Sequence, residues 1–220
     1  MGNYLRAIKR PFSDFKKLSI GALMYLIPFV NIITSFFASG YILNCVKTAM
    51  KKEHKLPEWE KFGNLFVKGL LVFVLSLIYF IPTVVVGLTL FWKFISPTGI
   101  NVLMLMSAIG VIGIGILILF LLLLLTIYLV PLAIVIFASK DKFSDSFRLG
   151  IIFKKAFTGK YFIAWLVVVV YSIFISFIGG IISVLTMPTM IIPLIVNAYA
   201  QIIYGITGLT ILAEAYSEIK

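Results

Sequence analysis

The sequence predicts an all-α fold, a polytopic bundle of about four full transmembrane helices. A re-entrant or kinked N-terminal helical hairpin, broken at Pro28, precedes them. Three observations predict it. Of 220 residues, 62% are hydrophobic and only 12% charged, whereas soluble domains carry about a quarter charged residues. Residues 18–46, 69–92, 94–139 and 161–213 contain no Asp, Glu, Lys or Arg, and uncharged apolar runs of about 18 residues or more read as membrane spans. The 19 basic residues fall between those runs rather than among them.

Residues 1–17 read as an interfacial amphipathic stretch. Tyr4, Leu5, Ile8, Phe12 and Phe15 alternate with Arg6, Lys9, Arg10, Lys16 and Lys17, and Pro11 divides the segment. Such a segment lies in the headgroup plane with apolar side chains inward and cations outward. The apolar run after it is too long for the core of a cleavable leader, so that run is expected to remain in the protein.

Residues 18–46 pose the main topological question. One continuous helix of that length would run about 43 Å, enough to cross a bilayer. Pro28 interrupts it, since proline removes a helical hydrogen bond and clashes with the preceding turn. Asn31 is a candidate cap for a second helix. A chain that turns here forms halves 18–27 and 32–46, about 15 and 22 Å long, neither of which spans a hydrocarbon core of about 30 Å.

Charge counting favours the hairpin. Five positives precede residue 18, six lie in 47–68, one is Lys93, six lie in 140–160 and one is Lys220. With 18–46 returning, and spans at 69–92, 101–138, 161–186 and 190–213, one side holds 18 positives and the other only Lys93. A crossing at 18–46 gives at best 13 against 6. The basic side is expected to be cytoplasmic, carrying both termini of a multi-pass protein of the cell membrane. A kinked full crossing is the alternative.

The whole of 1–220 reads as a single membrane domain. Loop 47–68 is expected on the cytoplasmic side, with Leu56, Trp59, Phe62, Leu65 and Phe66 along the membrane surface. His54, the only histidine, reads as solvated. Ser96, Pro97, Thr98 and Gly99 suit a tight outer turn. Trp92 and Lys93 suit the outer interface, and Tyr161 and Trp165 the inner one. Residues 101–138 are nearly twice the length a span needs and are read as one helix kinked at Pro131, with two crossings as the alternative. Gly110, Gly113 and Gly115, and then Gly179 and Gly180, are candidate packing notches. Residues 140–160 form a second cationic amphipathic segment, with Phe143, Phe147, Ile151 and Ile152 set against Lys142, Arg148, Lys154 and Lys155. Thr186, Met187, Pro188 and Thr189 suit a turn, and Pro193 falls in the first turn of the last helix. The phrase Phe-Ser-Asp occurs at 12–14 and again at 143–145.

No residue pattern specifies a reaction. Phosphate-loop, zinc-protease and nucleophile-elbow motifs are missing from the sequence. The eight acids, Asp14, Glu53, Glu58, Glu60, Asp141, Asp145, Glu214 and Glu218, lie at the edges of the apolar runs. Carboxylates at the midplane are the usual mark of an ion-coupled pump. Cys45 is the only cysteine, which leaves no intrachain disulfide and no cysteine metal site. The sequence therefore predicts no cofactor, no metal, no enzymatic activity and no nucleic-acid partner. Its basic residues suit anionic lipid headgroups. A neutral polar set remains: Asn31, Tyr41 and Asn44 on the broken segment, and Asn197, Gln201 and Tyr204 at helical spacing on the last span. These residues read either as a helix-packing face or as a polar path.

Several phrases are familiar together. They are Pro11-Phe12, LSIGALMYLIPFVN at 18–31, Gly40-Tyr41, Leu56-Pro57-Glu58-Trp59, Phe66 to Gly69, Pro131-Leu132-Ala133, Phe143, Phe147 and the Ala213–Tyr216 ending. In these the chain resembles the archaeal and bacterial membrane family called domain of unknown function number 4013. That resemblance implies a fold and topology but no reaction. A helical hairpin of this sort is also similar in architecture to those of CysZ-type sulfate permeases. The expected function is a non-enzymatic membrane scaffold, accessory subunit or lipid-interacting component, with lipids, further copies of the chain or another membrane protein as partners. A permease or channel for a small solute is the alternative.

Overall fold

The computed structural model describes residues 4–53, 55–95 and 102–219. His54 and the turn at 96–99 lie outside them. Among the described residues the only regular structure is helical. The helices are α1 (Tyr4–Lys9), α2 (Phe15–Leu26), α3 (Asn31–Met50), α4 (Phe62–Ile95), α5 (Val102–Lys140), α6 (Leu149–Ala156), α7 (Gly159–Leu185) and α8 (Ile191–Glu218). Short 3-10 turns occupy Arg10–Ser13, Phe143–Phe147 and Met187–Thr189. Four stretches are long and apolar enough to cross a membrane: Phe62–Trp92, Gly113–Lys140, Gly159–Leu185 and Ile191–Glu218. One lies in each expected span region, so the chain is a multi-pass, all-α membrane protein.

The chain divides into two compact units, Met1–Phe73 with Pro131–Lys220, and Val74–Val130. The second unit is an antiparallel pair made by the C-terminal part of α4 and the first part of α5. Thr83 and Thr126 are buried and their hydroxyls lie 3.3 Å apart. Thr126 also donates to Leu122 O within its own helix, at 2.8 Å. Gly115 is where α5 comes up against Leu90, whereas Gly113 faces open space, so only one of these two expected notches is used. Around this pair the apolar side chains of Ile81, Val85, Leu88, Ile114 and Leu121 point outward, as a lipid-facing surface requires. Helix α5 is continuous through Pro131 and is a single helix.

The first unit contains the broken segment. Pro28 ends α2 and sits in a four-residue turn, Ile27 to Val30. Asn31 N–H donates back to Ile27 O at 2.8 Å, and Phe29 takes a left-handed φ of 66°. Asn31 is the first residue of α3 rather than its cap: the cap is Val30, which makes no side-chain bond. The Thr34 hydroxyl donates across the turn to Met24 O and locks the two helices together. The result is an antiparallel hairpin whose α2 arm has 12 residues and whose α3 arm has 20, about 18 and 30 Å. The second arm is longer than the sequence suggests because the helix runs on past Val46 to Met50.

Both arms pack on α8 through Ala198, Ile202 and Ile206, which share a core with Leu18, Ala22, Ala38, Tyr41 and Ile42. The 198–202–206 spacing puts these three on one face of α8. An adjacent face meets α7, where Tyr171 lies 3.5 Å from the Thr207 hydroxyl and Gly208 fits against Val168. Gly179 is buried near Val196, whereas Gly180 faces open space. Tyr161 is 0% exposed and so is a core residue, not the interfacial anchor the sequence suggests.

Helices α3 and α4 approach most closely at two reciprocal glycines. A Cβ on Gly40 would strike the Leu65 carbonyl oxygen, and one on Gly69 would strike that of Phe36. The obstacle in each case is backbone, which no rotamer change relieves. Gly40→Ala is therefore expected to destabilise the protein by about 1–3 kcal/mol through overpacking. Gly63→Ala has nothing within 4 Å of the new methyl and should leave the melting temperature near that of the unsubstituted protein. Thermal denaturation of the two variants in one detergent checks the contrast.

Candidate functional site

The charged segments converge at one end of the first unit. Lys17 pairs with Glu58 at 2.6 Å and with Asp14 at 3.4 Å. Lys47 pairs with Asp141. Lys155 Nζ donates to Ile219 O at 2.8 Å and lies over the Tyr216 ring, and Lys160 reaches Glu218 at 3.7 Å. Segments 4–17, 47–68, 140–160 and the C-terminal turn therefore meet in one polar layer, from which the α2–α3 hairpin leaves and to which it returns.

Arg10 is at the centre of this layer. The sequence places it among the headgroup-facing cations, but its side chain is only 3% exposed. Pro11 forces the change, because it ends α1 and sets the 3-10 turn that rolls Arg10 inward. The guanidinium donates to Cys45 O at 2.8 Å, Thr210 Oγ1 at 2.9 Å, Thr48 Oγ1 at 2.5 Å and Lys55 O at 3.4 Å. One side chain thus ties the N-terminal segment to α3, to the loop after it and to α8. Desolvation by burial pushes its pKa below the ordinary arginine value, and the nearby Glu214 carboxylate partly offsets this. Its acceptors are carbonyls and hydroxyls, and Arg10 Nε has no hydrogen-bond partner among the described residues.

Beside Arg10 the loop 55–61 folds into the bundle. Trp59, 9% exposed, stacks on Tyr41 with ring centroids 3.8 Å apart and planes 5° from parallel. Its indole N–H donates to Lys17 O at 2.9 Å. The Tyr41 hydroxyl donates to Pro57 O at 3.0 Å, and Lys17 Nζ donates to Leu56 O at 3.0 Å. Leu56 and Leu65 are buried in the same core. The expectation that Leu56, Trp59 and Leu65 lie on the membrane surface is therefore corrected. Pro57 lets this loop present carbonyls without a competing N–H, and the apolar residues on either side of it take the loop inward.

Asp14 caps α2 by accepting from Lys17 N at 3.1 Å. That backbone N–H, with the Lys17 ammonium adding to it, holds the Asp14 carboxyl below the ordinary carboxylate range. The second Phe-Ser-Asp phrase also falls in a 3-10 turn, but there Asp145 is buried and pairs with Arg148 at 2.8 Å and Lys140 at 3.3 Å. The repeated phrase thus recurs in local shape, while its acid plays a different part.

The six polar residues singled out from the sequence separate into two groups. Tyr41 is in the core. Asn44 accepts from Lys68 Nζ at 3.2 Å and lines a cavity of about 360 Å³ with Pro57, Glu58, Lys61 and Asn64. Asn31 is half-buried at the hairpin turn. Asn197, Gln201 and Tyr204 lie on the exposed face of α8, and Asn197 Nδ2 donates to Pro193 O at 2.9 Å. The structure does not bring these two groups together. Cys45 is fully buried, so its thiol should resist a maleimide in the folded protein and react only after denaturation, as read by mass shift.

Sequence reasoning missed Arg10 as an interior residue. The available signal was its position directly before Pro11, one helical segment away from a run with no acid to pair it. Among the described residues no group of three or more His, Cys, Asp or Glu is placed to hold a metal ion.

No curated protein and no solved structure matches the chain. One family does: residues 22–184 match the profile described as Protein of unknown function (DUF4013). The match runs from the last turn of α2 through α3, α4, α5 and α6 to nearly the end of α7, more than half of the chain, and the chain belongs to this family of unknown function.

Proposed function

We propose that this protein is a non-enzymatic membrane component that gathers anionic lipid at its basic, cytoplasmic face. One observation carries the reading. Arg10 pins the N-terminal segment to the bundle, and the pinned segment leaves Leu5, Phe12 and Phe15 exposed beside exposed Arg6, Lys9 and Lys16. Apolar side chains next to cations at the end of a membrane bundle suit acyl chains below and phosphate headgroups above. Helix α6 and the residues flanking it repeat the pattern, with exposed Leu149, Phe153 and Phe157 beside Arg148 and Lys154. These outward residues differ from the sequence-expected set, since Ile152 turns into the core. In this reading the α2–α3 hairpin is re-entrant and serves as the rigid mount for these basic segments. The permease reading draws no support from the polar residues, because Asn197 and Gln201 face away from Tyr41 and Asn44.

Delipidated protein in a neutral detergent provides the test. Adding phosphatidylglycerol is expected to raise the melting temperature by several degrees, and adding phosphatidylcholine to raise it much less. The variant carrying Arg6→Gln, Lys9→Gln and Lys16→Gln should lose most of the difference. Equal stabilisation by both lipids would contradict the proposal.

A further inference from the structure

Helices α3 and α4 run antiparallel and touch where Gly40 meets Leu65 and Gly69 meets Phe36. That register sets the Lys68 backbone level with Phe37, below the polar layer, and Val67, Leu70 and Phe73 around it are exposed apolar residues. The ammonium does not stay at that level. A helical side chain leans toward the N-terminus of its helix, and Lys68 Nζ donates to Asn44 Oδ1 at 3.2 Å. Asn44 lies seven residues along α3 from Phe37, about 10 Å nearer the polar layer. Lys68 thus keeps its stem beside apolar surface and its charge at the edge of the polar layer. Lys47, three residues on from Asn44 and on the same face of α3, is already there and pairs with Asp141. The charges that act most on Lys68 are those of Lys47, Asp141 and Lys61. Lys68 makes no ion pair among the described residues. Lys47 and Lys68 therefore share the Asp141 carboxylate, and like charges held this close repel one another.

We infer that Lys47, Lys68 and Asn44 form a binding site for one phosphate group, supplied by an anionic phospholipid. The inference rests on the lipid reading above for the source of the phosphate, and adds a defined site apart from the exposed N-terminal segment and α6. Charge is the first argument. A phosphodiester carries a single negative charge, which balances the excess of cation over acid among Lys47, Lys68 and Asp141. Donors are the second. An ammonium offers three and a carboxamide two, and Asn44, whose oxygen is taken by Lys68, keeps its N–H groups for a phosphate oxygen. Space is the third. Asn44 also lines the cavity of about 360 Å³ with Lys61, Asn64 and Glu60. That cavity has room for the headgroup beyond the phosphate, with donors for its oxygens and a carboxylate for its hydroxyls. Depth identifies the source: the exposed apolar residues beside Lys68 suit acyl chains, and a lipid phosphate is the anion that sits directly above them.

The test compares Lys68→Gln with the parent as full-length protein, delipidated in a neutral detergent. Without lipid, Lys68→Gln is expected to melt at or above the parent's temperature, because it removes a repelling charge. With phosphatidylglycerol, its stabilisation is expected to fall to about half of the parent's or less. Lys68→Arg, which keeps the charge, should keep most of it. In native mass spectrometry the parent should retain one tightly bound phosphatidylglycerol that Lys68→Gln releases. A purely structural Lys68–Asn44 bond predicts the same loss of stability with and without lipid, and that result would overturn the inference. A phosphatidylglycerol response in Lys68→Gln equal to the parent's would also overturn it. If that response were still lost on changing Arg6, Lys9 and Lys16 to Gln, the lipid reading would stand without this site. A parent that responds equally to phosphatidylglycerol and phosphatidylcholine overturns both. Stabilisation by inorganic phosphate as large as that by phosphatidylglycerol would keep the phosphate site and overturn its lipid source.

Discussion

Trp59→Ala is expected to destabilise the protein by about 3–5 kcal/mol, the range for deleting a large buried aromatic side chain. Three losses combine. The stack on Tyr41 disappears, leaving a void between α2, α3 and the loop. Lys17 O loses its indole donor. Gly21, whose position lies against the Trp59 ring and Ile202, loses one wall of its contact. Trp59→Phe keeps much of the stack and removes the indole N–H, and should cost about 1 kcal/mol beyond the small change in volume. Chemical denaturation followed by circular dichroism separates the two. A Trp59→Ala variant as stable as the parent would mean that loop 55–61 does not occupy the interior as described.

Arg10→Met is expected to cost about 2–3 kcal/mol. Hydrogen bonds to a charged donor are worth about 1.5–3 kcal/mol each, and four acceptors are served here. The desolvation of a buried cation, several kcal/mol, offsets much of that sum. Arg10→Lys is the sharper variant. Lysine keeps the buried charge, but its ammonium is a strongly hydrated point that does not reproduce the planar fork reaching Cys45, Thr48 and Thr210 together. Arg10→Lys should therefore be at least as destabilising as Arg10→Met. Because Arg10 pins segment 4–13, both variants should also speed tryptic cleavage at Arg6 and Lys9. Unchanged cleavage in both would show that something else holds the segment.

Membrane residence, the helical class and the break at Pro28 are legible in the sequence because each has a local cause. Uncharged length gives the spans, and proline gives the break. The basic residues are legible as a group, since they converge at one end of the first unit. What a pattern does not reveal is which member of a group turns inward. Arg10 and Lys9 are neighbours of the same charge, yet only Arg10 is buried. The difference is set by Thr48 and Thr210, tens and hundreds of residues away. Trp59 is misread for the same reason. An aromatic residue in a charged loop looks interfacial until Tyr41, Pro57 and Lys17 are placed around it. Tyr41 and Asn44 share a region with Lys68 and the loop, while Asn197, Gln201 and Tyr204 share only a helical face. Helical spacing reveals the stripe but not which side of the bundle it takes.

If the α2–α3 hairpin is re-entrant, the chain from Phe15 to Met50 enters the membrane and comes back, and both arms end in the same polar layer. Labelling with a membrane-impermeant maleimide tests it most directly. Single cysteines at Lys16, Lys52 and Thr189, each in a Cys45→Ala background, are compared in sealed right-side-out and inside-out vesicles. Lys16→Cys and Lys52→Cys are expected to react from one and the same side, the cytoplasmic one. Thr189→Cys, in the turn between α7 and α8, is expected to react from the other. Labelling of Lys16→Cys and Lys52→Cys from opposite sides would show a crossing between them and contradict it.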